Sequence, residues 1–204
     1  HKFEQGGWLP IFPCWNSYTA AMIGDHCIAA IGDACIKDIR NFDIEKAYKA
    51  MRKNAFESPA DNKDYKNGMG RRALQSYLKY GYIPLEDSVP DAFHTKEQVS
   101  RTLEYAYDDF VLAQVAKLLQ KEEDYKILSA RAQNYRNVID PQTGYAQGRH
   151  ANGTFLKEQN AFQFTKFITE GAPCHYTWYV PHDPYGLMEC MGGKEKFALK
   201  LDSM

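Results

Sequence analysis

Between Ile168 and Asp183 the chain reads ITEGAPCHYTWYVPHD, where carboxylate, imidazole and indole groups crowd together. Glu170 precedes Gly171 and Pro173, a sharp approach into a helix with the carboxylate just before its start. Among aromatic groups, burial and neighbours can tune a carboxyl's proton affinity. A general acid in glycoside cleavage needs that tuning, because it must hold a proton near neutral pH and pass it to a leaving oxygen. A helix-start carboxylate held by the macrodipole fits the same spacing. His175 and Trp178 stand in the same segment. In TLEYAYDDF, Glu104 and Asp108 are four apart and share a helical face. Like charges there are mildly destabilising unless a sugar hydroxyl, an Arg or a metal binds them; a solvated face, or pairing with Arg101 or Lys117, is the ordinary alternative. In WNSYTAAMIGDH, Trp15, Asp25 and His26 gather at the start of an apolar stretch, facing a cavity or forming a satisfied core histidine with a local cap. No G-x-S-x-G, P-loop, H-E-x-x-H or G-x-G-x-x-G occurs, and no tight metal-ligand spacing is visible. Calcium held by carboxylates and backbone oxygens would leave no such signature.

The elements that must position these groups read as helices. GGWLPIFPCWN is an irregular loop. Ser17 or Thr19 can cap a helix running to Arg40, apolar for most of its circumference and so expected to be an inner, buried helix. Asp43 caps a second helix, Ile44 to Phe56. A polar loop spans Glu57 to Gly70, a short helix Arg71 to Tyr80 closes at Gly81, and Tyr82 to Pro84 is extended. Lys96 to Leu119 carries the strongest helical pattern, and Asp124 to Val138 returns as its partner. Tyr145 to Leu156 predicts a β-hairpin around Asn152-Gly153. A last helical pair covers Cys174 to Met191 and Lys194 to Leu201. The expected class is therefore all-α: helical hairpins with long connections on one side, as suits a barrel of paired helices, plus a small β-hairpin.

The chain has 204 residues, 44% of them hydrophobic, enough for a core. A formal net charge of −1 removes the electrostatic case for nucleic acid or an anionic membrane surface. No apolar run approaches the roughly 18 residues of a membrane span. Five cysteines without C-x-x-C spacing argue against a disulfide framework or structural zinc. His1 to Pro10 has no signal-peptide pattern. Packed-looking residues at the start and an amphipathic helix at the end make residues 1–204 an expected single fragment of a larger unit, truncated at both ends.

LPIFPCWNSYTAAMIGDH, DACIKDIRNFDIEKAYKAM, LKYGYIP, SRTLEYAYDDFVLAQVAKLL, RAQNYRNVIDPQTGYAQGR and YTWYVPHDPYGLMECMGGKEKF are collinear over nearly the whole chain. Together they resemble glycoside hydrolase family 92, the calcium-dependent exo-acting α-mannosidases. The resemblance implies the central part of an (α/α)6 barrel and an inverting reaction on terminal α-mannosides, with calcium helping to distort the sugar. Glu170 matches the family's general acid in a motif of the form E-G-N-A-W-Q-Y-T-W. Trp15, Asp25, His26, Glu104, Asp108, His175 and Trp178 are then expected to bind substrate. The base belongs to a G-N-D-D-type motif absent from this chain, and calcium ligands are expected partly outside it. The partner is a glycan, and the compartment implied is periplasmic, cell-surface or secreted. The motif departs at Ala172, Pro173, Cys174 and His175, which removes amide groups that can hold a sugar or its calcium. A catalytically impaired carbohydrate-binding protein, or a hydrolase for another sugar, is the alternative.

Overall fold

A computed structural model describes residues 1–39, 41–89, 93–157 and 160–203. The chain is all-α, with ten α-helices and one small two-stranded sheet among the described residues. The helices are α1 (Lys2–Gly6), α2 (Cys27–Ile36), α3 (Ile44–Phe56), α4 (Asn62–Lys66), α5 (Leu74–Tyr80), α6 (Gln98–Leu118), α7 (Glu122–Arg131), α8 (Pro173–Tyr176), α9 (Pro184–Cys190) and α10 (Lys194–Asp202). A 3-10 turn covers Asn134–Val138.

Helix α6 organises the molecule. Its first half packs against Val138, Ile139, Phe167, Ile168 and Val180. Its second half packs against α2, α3 and α7 through Leu112, Ala113, Val115 and Ala116. Both flanks are covered, so its acidic residues are buried too: Glu104, Asp108 and Asp109 all lie in the interior. Neither Arg101 nor Lys117 pairs with Glu104 or Asp108. Arg101 donates to the backbone oxygens of Lys96 and His94, and Lys117 lies over the Tyr125 ring.

Several boundaries match local chemistry. The Asp43 carboxylate accepts from Lys46 N at 2.9 Å and starts α3 where expected. Gly81, with φ 73°, ends α5 in the left-handed conformation. Tertiary contacts move others. Neither Ser17 nor Thr19 caps a helix: Ser17 lies in the second strand of a hairpin, β1 (Pro13–Cys14) with β2 (Ser17–Tyr18). Trp15 and Asn16 form its two-residue turn with φ of 47° and 60°. The stretch up to Asp25 stays non-helical because its backbone and carboxylate are engaged by α6, α3 and the segment before α5, so α2 starts only at Cys27. Arg40 lies outside the described residues. Nor is this stretch buried all round: Ile28, Gly32 and Cys35 of α2 face inward, whereas Ile36 and, beyond the helix end, Ile39 are exposed. Gly32 sits where a Cβ would come within 2.2 Å of Val111, so α2 and α6 cross at close range only without a side chain there.

The loop from Glu57 to Gly70 contains α4, capped by Asp61. The segment from Tyr145 to Leu156 makes isolated bridges, Arg149–Phe155 within itself and Ala146 to Ile139, in place of paired strands. Part of its bonding is drawn elsewhere, with Arg149 O accepting from Leu85 N and the Arg149 guanidinium donating to Asn137 O, while His150 N to Thr154 O and Leu156 N to Gly148 O close the turn itself. Cys174 to Met191 is not one helix, because Pro181 and Pro184 interrupt it and Asp183 caps a new start at α9. No cysteine is in a disulfide.

Candidate active site

The buried acids of α6 meet the Gly24-Asp25-His26 turn. Asp108 Oδ2 accepts from Asp25 N at 2.8 Å, and its Oδ1 lies 3.0 Å from His26 Nδ1. His26 Nε2 lies 3.2 Å from Glu104 Oε2. Glu104 also accepts a hydrogen bond from the Tyr176 hydroxyl, and the Tyr179 hydroxyl stands 3.4 Å from His26 Nε2. The spacing of four between Glu104 and Asp108 thus clamps one imidazole between two carboxylates. Gly24 is the residue that permits it: a Cβ there would lie 2.2 Å from Glu104 Oε2 and 2.4 Å from His26 Nε2. Burial alone would pull the His26 pKa down. Its hydrogen bonds to Asp108 and Glu104, and their charges, outweigh that and push it up to about 10. The ring is therefore an imidazolium at neutral pH, with 44% of its side-chain surface open and Tyr107 and Tyr179 beside it.

Behind this layer lies a second, fully buried one. Asp25 accepts from Arg71 Nε at 3.0 Å and from Asn54 Nδ2 at 3.1 Å. Arg71 continues to Asp109 at 2.7 Å, and Arg131 closes on both Asp109 oxygens at 2.7 and 2.9 Å. Burial pushes the Asp25 carboxyl up; Arg71 pulls it back, and the Asp108 charge adds to the rise. For Arg71, burial opposes the charge, but Asp109 and Asp25 prevail and keep it protonated. Asp25 therefore touches the fold rather than the open face.

Glu170 stands apart from this network. Thr169 N donates to Ser100 Oγ at 2.9 Å, which ties the turn to α6 one helical turn before Glu104. Ile168, Thr169, Gly171 and Ala172 are buried, and Glu170 alone among them is exposed, with φ 51°. Among the described residues no hydrogen bond or ion pair engages its carboxylate. Ala172 is the N-cap residue of α8 and Pro173 its first residue. His175 is exposed, and its Nδ1 accepts from Ala172 N at 3.1 Å. Trp178 donates from Nε1 to Cys174 O and packs edge-on against Phe197. Trp15 is 97% exposed at the β1–β2 turn. Asp25, His26, Glu104 and Asp108 therefore come together, Glu170 and His175 share the neighbouring turn, and Trp15 and Trp178 join neither group.

Asp109 belongs to the TLEYAYDDF candidate, but the sequence did not single out Gly24, Tyr176, Asn54, Arg71 or Arg131 as parts of this site. Gly24 had a signal, since a glycine directly before Asp-His marks a close approach. The arginines had none, because their partners are 38 and 22 residues distant in the chain. Among the described residues no group of three or more His, Cys, Asp or Glu side chains is arranged to hold a metal. The cluster's carboxylates do not fit a calcium cage, because Asp25, Glu104 and Asp108 are already spent on Arg71, Asn54, Tyr176 and the His26 cation.

Comparison with known proteins points one way. The sequence profile of the glycosyl hydrolase family 92 catalytic domain matches residues 1–204. A family GH92 α-mannosidase from Bacteroides thetaiotaomicron is 38% identical, superposes with a TM-score of 0.81, and is covered over 24% of its length by 96% of this chain. A family GH92 inverting mannosidase from the same organism is 33% identical, with a TM-score of 0.86 and coverage of 98% of this chain and 26% of its own. An uncharacterized secreted glycosidase of Arthroderma benhamiae is 29% identical over 98% of this chain and 28% of its own length. The chain thus spans about a quarter of the length of these relatives, and its helical hairpins are part of an (α/α)6 barrel like that of the Bacteroides enzymes.

Proposed function

Because the chain belongs to glycosyl hydrolase family 92, we propose that it supplies the proton-donor side of an exported, exo-acting, inverting α-mannosidase. Residues 1–204 form one part of its barrel. The observation that carries this reading is Glu170: an exposed carboxylate on a left-handed backbone, unspent among the described residues, on a turn that Thr169 ties to α6 one helical turn before Glu104. Glu170 protonates the glycosidic oxygen as its bond to the anomeric carbon breaks. Water attacks that carbon from the opposite face and gives its proton to a base outside residues 1–204. The products are mannose of inverted configuration and the free alcohol. His26 and Glu104 shape the sugar subsite, with Asp25 and Asp108 positioning His26. A calcium ion, were one bound, would be held by residues other than Asp25, Glu104 and Asp108, and the chemistry it would supply is Lewis-acid polarisation of a sugar oxygen.

Glu170→Gln in the full-length protein tests the assignment. Turnover of mannosides with poor leaving groups should fall by about a hundredfold or more, while α-mannosyl fluoride, which needs no proton, keeps its rate. Near-normal rates on both would overturn it. A second reading, sugar binding without hydrolysis, is favoured by one observation: Ala172 and Cys174 are buried in packing and His175 is spent on a cap. Tight mannoside binding by the wild-type protein with no product would decide for it.

A further inference from the structure

The segment before Glu170 carries two exposed aromatic rings that the proposed reaction has not used. Phe162 is 57% exposed and Phe164 is 75% exposed. They do not hang on a loose loop. Cys174 N donates to Ala161 O at 2.9 Å, and Thr165 N to Gly171 O at 3.4 Å. The two bonds clamp the turn on both sides of the aromatic pair and tie it to the residues that follow Glu170. Phe162 N is held by Asn160 Oδ1 at 2.9 Å. Ala161 packs into a small cluster with Tyr145, Ala172 and Cys174. Tyr145 meets the Phe162 ring edge-on at 5.8 Å and carries Lys200 over its own ring at 3.9 Å. Phe162 is thus braced from the protein side. Ala172 and Cys174, two of the positions where the motif departs from E-G-N-A-W-Q, are the small apolar residues that seat this turn.

Phe162, braced by Tyr145, and Phe164, on the same backbone-tied turn, have no polar group to offer. Such rings stack on the apolar face of a pyranose. The occupant is inferred from the backbone ties of this turn to Gly171 and Cys174, which flank the donor's turn: a proton donor stands beside the oxygen that leaves, and the group nearest that oxygen on its far side is the departing one. We propose that Phe162 and Phe164 form a stacking platform for the sugar that departs, and that they select mannosides whose leaving group is itself a sugar ring. The inference rests on Glu170 as proton donor.

The test uses the full-length protein with an α-linked mannose disaccharide and with α-mannosyl fluoride, which has no leaving-group ring. Replacing both phenylalanines by Ala should lower kcat/KM for the disaccharide by about tenfold, the worth of a lost stacking contact. The fluoride rate should stay within about twofold of wild type. Phe164→Tyr should keep the disaccharide rate and Phe164→Leu should not, at matched thermal unfolding temperatures. Equal losses on both substrates, or no loss on the disaccharide while Glu170→Gln abolishes it, would overturn the platform and leave the donor standing. Unchanged disaccharide turnover in Glu170→Gln would instead sink the donor, and the platform with it.

Discussion

At φ 51° the Glu170 backbone occupies a region that costs a non-glycine L-residue roughly 1–2 kcal/mol. Such strain persists where the surroundings over-determine it, and its neighbours do so: Thr169 is tied to α6, and Ala172–Pro173 begin α8. Glycine would fit better, so the carboxylate is kept at a cost to stability. We predict that Glu170→Gly raises stability in urea unfolding by about 1 kcal/mol while turnover of disaccharide mannosides is lost. A variant less stable than wild type would contradict the account. His26 gives a pH prediction. Its folded pKa, about 10, lies above the unfolded value near 6.5, so its contribution is fully present below about pH 6.5 and is lost as pH rises through about 10. Wild type should therefore lose more stability across that window than His26→Gln, read as the difference between their unfolding midpoints. Parallel pH curves would refute an imidazolium held between Glu104 and Asp108.

On the scale of elements, α6 carries the site because both its flanks are covered. That burial turns two like charges four residues apart from a mild liability into a cation clamp. The same burial makes Asp109 the joint between α6, α7 and the segment entering α5, since it faces Arg71 and Arg131 together. Removing one partner of a buried ion network leaves uncompensated charge, so Asp109→Ala should cost about 3–5 kcal/mol. Denaturant unfolding measures it, and a loss below about 1 kcal/mol would mean the network is solvated. The periodicity that predicted α6 was readable because a 21-residue helix repeats its pattern many times. The ends of α2 and the fate of residues 145–156 were not, because long-range hydrogen bonds outweigh local preference there.

Across the whole molecule, apolar surface remains open on α2 and beside α3. Ile36 and Ile39 are more than half exposed, and a groove of ≈ 470 Å³ lined by Leu9, Ala30, Ile31, Ala34 and Ala47 shares no residue with the His26 cluster. The chain covers about a quarter of its relatives' length, and under the function proposed above this open surface is where further helices of the barrel pack. The 204-residue chain on its own is expected to bind a hydrophobic dye and to release no mannose. Mannose release from it would refute a base lying outside residues 1–204.

The sequence by itself determined the class of fold, the main helices with their Asp43 and Gly81 boundaries, and the three stretches that hold Asp25–His26, Glu104–Asp108 and Glu170. Those are properties of local pattern and residue chemistry, which a linear string carries directly. Tertiary structure alone decided that His26 is a clamped cation, that Asp25 faces Arg71 and not the open side, that Trp178 packs on Phe197, and that Glu170 stands on a strained backbone. Each of these depends on groups distant in the chain meeting, where contact and the burial of the partners set charge and conformation.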